Sequence, residues 1–291
     1  MSSDREPGSI RLALPKGRMY DQVVSLLKGA GISVRQSERG YRPVISLPNF
    51  TAKLLKPRDV IGMLKVGARD MGFAGEDWIQ ETGTELVELL DTGMNPVRLV
   101  VAAPNEILVD GQLPKRKIVI ATEYPTLAKQ WVAKNGVDAE ILQTFGATEV
   151  FPPEDADCII DNTATGSTLR ANGLKIIDDV MASSTRLYAS KESMTCPARK
   201  KVIDDFVLLI DAVLQARSRV MMDLNVEQAN LDAVLAVLPS MRTPTVSPLS
   251  NSQWVAVRSA IPRRELALMI PQLKAAGACD IVTTTVEQLI S

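Results

Sequence analysis

Cys158-Ile159-Ile160-Asp161-Asn162-Thr163-Ala164-Thr165-Gly166-Ser167-Thr168-Leu169 decides how this chain is read. Three apolar residues start a strand, small hydroxyl residues and one glycine form a loop, and Leu169 to Asn172 suit a helix. A strand feeding a loop and then a helix is the repeating unit of α/β proteins. Gly166 lets the backbone approach an anion, Thr165, Ser167 and Thr168 offer hydroxyl donors, and N–H groups at a helix start point at negative charge. Asp161, at the carboxyl end of the strand, is placed to accept hydrogen bonds from sugar hydroxyls. Phosphate and ribose hydroxyls held in one loop describe a phosphoribosyl group. The same run also fits an ordinary capped turn, so its company along the chain must decide.

Composition narrows the choice. The chain has 291 residues, 46% hydrophobic and 4% aromatic, a balance that suits aliphatic α/β layers. With 33 basic and 34 acidic residues the net charge is -1, which gives no electrostatic footing for nucleic acid or an anionic membrane. Met1 to Ser9 are polar, and no apolar run approaches the roughly 18 residues of a membrane span. The expectation is a soluble, cytoplasmic protein. Cys158, Cys196 and Cys279 are far apart and odd in number, against a disulfide framework or a zinc cluster. Histidine is absent altogether, which excludes a Ser-His-Asp hydrolase, a papain-like protease and a histidine-zinc centre. Chemistry falls to carboxylates, Lys, Arg, backbone donors or a metal carried by the substrate.

Ile10, Leu12 and Leu14 alternate with Arg11 and Ala13 in a strand that stops at Pro15. Lys16-Gly17-Arg18 follows, then a helix with Tyr20, Val23, Val24 and Leu27, ended by Gly29 and Gly31. The two cations are either a solvated turn or a lip for a polyphosphate. A helix from about Asp59 to Lys65 precedes the glycine-bearing strand Arg69 to Gly75, and Glu76-Asp77 starts another helix. Leu99 to Ala102 and Lys117 to Ala121 read as short buried strands, with Pro104 to Pro114 between them as a passage from one lobe to another. Pro125 opens a helix with Leu127, Ala128, Trp131 and Val132 inside. Leu174 to Ile177 and Thr185 to Ala189 read as separate strands, and a long core-facing helix follows Arg199. From Arg219 the order becomes β-α-β-β-α-β, the split arrangement of ferredoxin-like domains. Such domains often pair their sheets and bind an effector at the seam.

Several runs, taken in order, resemble the ATP phosphoribosyltransferase family in its long form with a regulatory domain. They are Leu12-Ala13-Leu14-Pro15-Lys16-Gly17-Arg18, Lys56-Pro57-Arg58-Asp59, Asp70 to Asp77, Ala121 to Pro125, Gly146-Ala147-Thr148-Glu149 and Asp161 to Leu174. Thr243 to Leu249 and Leu273 to Ala278 continue the likeness, which covers nearly the whole chain. The resemblance implies two catalytic lobes built like a type II periplasmic binding protein, joined to the ferredoxin-like C-terminal domain. Residues 1–103 and 185–217 would form lobe I, 104–184 lobe II with the phosphoribosyl pyrophosphate loop, and 218–291 the regulatory domain.

The activity it implies is transfer of 5-phosphoribosyl from phosphoribosyl pyrophosphate to N1 of ATP, releasing pyrophosphate, the first step of histidine biosynthesis. Mg²⁺ would arrive largely on phosphate oxygens, with no dedicated protein metal site. Histidine would inhibit, and the chain would assemble as a homo-oligomer, dimer or hexamer. By the same likeness, Asp161 holds ribose hydroxyls, and Ala164, Thr165, Gly166, Ser167 and Thr168 hold the 5-phosphate. Glu149 lies near the positive charge developing on the ribose, and Lys16 and Arg18 neutralise pyrophosphate or ATP phosphates. Asp223, Thr245 and Ala278 frame the effector. Two departures stand near the site: Asn162-Thr163 replace two typically apolar residues, and Pro153 to Asp157 lacks a common Gly-Leu pair. The rival reading is a non-catalytic two-lobed sensor or a silent assembly subunit. Neither needs Lys16-Gly17-Arg18 together with the Thr165 to Thr168 loop.

Overall fold

Aliphatic runs become the strands of one eight-stranded and one four-stranded sheet in the computed structural model, which describes residues 6–36, 40–239, 243–251 and 253–290. The first five residues of the polar N-terminal stretch lie outside that description. The chain divides into two compact units, Met1–Ser25 with Ser33–Asp204, and Leu26–Ile32 with Asp205–Ser291. Among the described residues no helix is long and apolar enough to cross a membrane.

The first unit runs β1 (Ile10–Pro15), α1 (Tyr20–Gly29, its last turn in the second unit), the short ribbon β2 (Val34–Arg35) and β3 (Val44–Ile45), β4 (Phe50–Leu55), α2 (Pro57–Lys65), β5 (Met71–Gly75) and α3 (Glu76–Thr82). There follow β6 (Val87–Pro104), β7 (Ile118–Thr122), α4 (Pro125–Asn135), β8 (Ala139–Gln143), β9 (Cys158–Thr163), α5 (Ser167–Ala171), β10 (Leu174–Ala189), α6 (Lys191–Thr195) and α7 (Pro197–Arg217), which also crosses the divide.

The sheet order is β4-β1-β5-β10-β6-β9-β7-β8. Followed inward from either edge, each half places its second strand, its first, its third and then one long strand: β4-β1-β5-β10 and β8-β7-β9-β6. Within each half the first three strands are parallel, and the long strand runs antiparallel to the third. Two lobes of identical order therefore meet at the β6–β10 pair. That is the two-lobed, periplasmic-binding-protein-like plan expected from the sequence.

The long strands correct the sequence reading. Leu99 to Ala102 belongs to an 18-residue strand, and Leu174 to Ile177 and Thr185 to Ala189 are the two ends of a single 16-residue one. Val87 pairs with Ala189 and Pro104 with Leu174, so the chain changes lobe twice inside this ladder. Pro104 to Pro114 is a loop of lobe II instead, with Leu108 and Leu113 packed on that lobe's core. The strands were hidden because their middles are polar. Asp91, Gly93 and Asn95 on β6, and Asp178, Asp179 and Ser183 on β10, interrupt the apolar period.

Where both faces are covered the pattern returns. Cys158 and Ile160 face a core with Leu127 and Trp131, while Ile159 faces another with Ala156 and Leu169. Each fully buried Ile contributes roughly 1.5–3 kcal/mol, enough to fix the register of the strand that ends in the hydroxyl loop.

The second unit contains β11 (Arg219–Glu227), α8 (Leu231–Val237), β12 (Thr245–Pro248), β13 (Trp254–Pro262), α9 (Leu266–Ala275) and β14 (Cys279–Thr285). Its antiparallel sheet has the order β12-β13-β11-β14. Val220, Met222, Leu224 and Val226 alternate inward against Val234, Met269 and Leu273 of the two helices. The β-α-β-β-α-β order and this strand order are ferredoxin-like, as the sequence predicts.

Candidate active site

β9 delivers Asp161 to the edge of a cavity of about 330 Å³ lined by Arg18, Glu149, Asp161, Thr165, Ser167 and Thr168 among others. The loop is shaped by Gly166, whose φ of +72° belongs to the left-handed region, and by Thr163, whose buried Oγ1 accepts the Gly166 N–H at 2.9 Å. Thr165 Oγ1 and Ser167 Oγ lie 3.0 Å apart, and Arg170 Nη1 donates to the Thr165 carbonyl at 3.1 Å. The convergent hydroxyls can each turn a proton toward a phosphate oxygen.

Asp161 faces that cavity with a single bond to its carboxylate among the described residues, from the Asn162 backbone N–H at 2.7 Å. Burial, aided by the Glu123 and Glu149 carboxylates, pushes it up to about 7, against the pull of the Asn162 N–H and the Arg18 guanidinium. Glu149 sits on a short turn after Gly146 and Ala147, braced by the 2.8 Å contact of the Thr144 and Thr148 hydroxyls.

On the other lobe, β1 ends at Pro15 and Gly17 (φ +77°) turns the chain. Arg18 lines both this cavity and a second of about 330 Å³, whereas Lys16 lines only the second, its Nζ 3.8 Å from the centre of the Tyr41 ring. The structure thus brings Arg18, Glu149, Asp161 and the 164–168 loop together and sets Lys16 in the adjoining space.

Sequence reasoning missed the buried polar line between the cavities. Asn162 Nδ2 donates to Tyr124 Oη at 2.7 Å, Tyr124 donates to Asp77 Oδ2 at 2.7 Å, and Ser183 Oγ donates to Asp77 Oδ1 at 2.7 Å. Trp78 stacks on Tyr124 with ring centres 4.6 Å apart. Burial and the neighbouring Asp77 hold the Tyr124 hydroxyl above its ordinary range, so it keeps its proton. The signal was present as Asn162, a polar residue near the end of a strand opened by the buried apolar run Cys158 to Ile160. Of the two departures from the family pattern, Asn162-Thr163 has local roles here: Asn162 bonds the Tyr124 hydroxyl, and Thr163 builds the loop.

In the second unit, Asp223 pairs with Arg258 at 2.6 Å, and Thr245 stands opposite Arg258 in the β12–β13 register. Ala278 is buried in the helix-side core, before β14.

Comparison with known proteins converges on one family. The profile described as ATP phosphoribosyltransferase matches residues 56–212, and that described as HisG, C-terminal domain, matches 216–288. An ATP phosphoribosyltransferase of Chlorobium phaeovibrioides is 36% identical over 97% of this chain and 97% of its own. One of Pelotomaculum thermopropionicum is 36% identical over 97% and 99%. The chain belongs to the ATP phosphoribosyltransferase family. It is a transferase of the first step of histidine biosynthesis, the main reading of the sequence and not the sensor or silent-subunit alternative. Among solved structures, the ATP phosphoribosyl transferase (HisG:HisZ) complex from Thermotoga maritima matches with a TM-score of 0.62 and 28% identity, over 71% of this chain and 98% of that one. ATP and phosphoribosyl pyrophosphate are the substrates that fit this family.

Proposed function

We propose that the hydroxyl loop holds the 5-phosphate and ribose of phosphoribosyl pyrophosphate, and that the adjoining cavity with Lys16 and Trp78 takes ATP. The observation that carries this reading is the pairing of Asp161 and the 164–168 loop with Arg18 in one cavity. In the transfer, N1 of the adenine forms a bond to C1′ as the C1′–O bond to pyrophosphate breaks, its electron pair leaving on pyrophosphate. The ribose passes through an oxocarbenium-like state, so position and charge do most of the work. Asp161 accepts from the ribose hydroxyls, and Glu149 faces the developing positive charge. Arg18 and Lys16 offset the charge on the departing pyrophosphate or the ATP phosphates.

Mg²⁺ fits this donor set. It needs one or two carboxylates besides phosphate oxygens and water, and Asp161 and Glu149 line the same cavity. When bound it would offset pyrophosphate charge. On this reading the two catalytic lobes share residues 1–217, with both changes of lobe inside the β6–β10 ladder, and the regulatory domain is 218–291. Histidine would bind the second unit near Asp223, Thr245 and Ala278, in a cytoplasmic homo-oligomer. The Asp223–Arg258 pair supports that placement by offering both charges to an amino acid.

Purified protein with ATP, phosphoribosyl pyrophosphate, Mg²⁺ and pyrophosphatase, followed by product absorbance with and without histidine, tests all of this. Product that falls with histidine is expected. Product indifferent to histidine removes the effector site, and no product removes the catalytic assignment.

A further inference from the structure

The buried line Asn162–Tyr124–Asp77–Ser183 has a fixed direction. Both oxygens of the Asp77 carboxylate accept, one from Ser183 Oγ and one from Tyr124 Oη. A carboxylate is acceptor-only, so Tyr124 must spend its single proton on Asp77. Its lone pair then requires a donor, and Asn162 supplies Nδ2. With the amide turned that way, Oδ1 points away from Tyr124, and no group among the described residues bonds it. Asn162 itself lines both cavities and neighbours Asp161. A carbonyl acceptor whose orientation is set by Asp77 through Tyr124 therefore stands where the two substrates must meet.

We propose that Asn162 determines base specificity, its Oδ1 accepting a hydrogen bond from the exocyclic amino group of adenine. This rests on the reading of the cleft given above. The chemistry places that group here: N1 must reach C1′ of a ribose held at Asp161, and the amino group sits on the carbon next to N1. When N1 acquires its bond to C1′, positive charge spreads over N1, C6 and the amino nitrogen. The hydrogen bond to Oδ1 then strengthens in the transition state, so Asn162 acts on turnover as well as on binding. A base with a carbonyl at that carbon would set two acceptors against each other.

The test uses the full chain and two probes, ATP and purine riboside 5′-triphosphate, which lacks only the amino group. Calorimetry on the native protein should show ATP bound about tenfold more tightly. Asn162→Leu should erase that preference through loss of ATP affinity and lower kcat for ATP more than it raises KM. Tyr124→Phe keeps the Asn162 carbonyl but frees the amide to turn, and should give an intermediate preference. It also serves where the leucine variant folds poorly, which thermal melting reveals. A preference unchanged in Asn162→Leu, or unchanged in Tyr124→Phe, overturns the inference. A native enzyme that makes product yet shows no preference overturns it alone, whereas one that makes no product overturns the reading beneath it too.

Discussion

Two carboxylates in the first unit, both largely removed from water, are treated in opposite ways. Glu81, near the end of α3 in lobe I, accepts the Thr126 N–H at 3.0 Å with both oxygens and the Leu127 N–H at 3.0 Å. It caps α4, whose opening residue Pro125 has no N–H of its own, and so joins one lobe to the other. Asp161 in lobe II has one backbone donor, and two other carboxylates raise it further. Glu81 is satisfied by the protein, and Asp161 waits for a ligand to satisfy it. A buried charge with unused acceptor capacity marks a site, and a buried charge with its donors in place marks structure.

The sharpest way to break that contrast is to neutralise each carboxylate. Asp161→Asn should lower kcat/KM by on the order of 10²–10³-fold. It should also raise stability at pH 8 by on the order of 2–4 kcal/mol, because the native state no longer holds an unfavourable charge. Steady-state kinetics and denaturant unfolding on the same preparation check both halves. Loss of stability together with loss of activity would put Asp161 in the structural class. Glu81→Gln should do the reverse, costing about 2–3 kcal/mol by leaving a buried N–H poorly paired. Its kcat should stay within about threefold of the native value. A large drop in kcat at unchanged stability would mean that the α3–α4 joint belongs to the chemistry.

A pH series sharpens the same comparison. Asp161 in the unliganded protein titrates near 7, so below that pH it is protonated and no longer the acceptor that ribose or Mg²⁺ requires. Affinity for phosphoribosyl pyrophosphate should fall by up to tenfold per pH unit below about 7 and level off above it. The stability sign is opposite. Between the unfolded carboxyl value of about 3.9 and 7 the folded protein holds a proton that the unfolded chain has lost, so stability declines as pH rises through that window. Asp161→Asn should flatten both curves. A native affinity profile already flat from pH 5 to 8 would sink this account.

Sequence carried the fold wherever burial imposed a period. Ile10 to Leu14, Cys158 to Ile160 and the alternating Val220 to Val226 all became the strands expected. It lost the middles of β6 and β10, which are held by ladder bonds between lobes and not by an apolar face. The hydroxyl loop was legible because glycine and hydroxyl residues in sequence dictate local chemistry. Glu81, Asp77 and Tyr124 were not, because their partners are supplied by a different lobe, 45 or more residues away along the chain. Long-range polar pairing has no period to read.

The smallest predicted effect tests the loop's geometry without touching its charges. Gly166 has a φ of +72°, where a Cβ is disfavoured, and an added Cβ would come within 3.0 Å of Arg170 Nη1 and 3.4 Å of Ile176 Cδ1. The first neighbour is the free end of a flexible side chain and can yield; the conformation cannot. Gly166→Ala should therefore cost about 1 kcal/mol of stability, most of it from the backbone. Arg170 must give way, and its bond to the Thr165 carbonyl goes with it. The catalytic loss should then appear chiefly as a raised KM for phosphoribosyl pyrophosphate, with KM for ATP little changed. Equal increases in both KM values would show that the loop serves the two cavities as one rigid body, and the division between them would have to be redrawn.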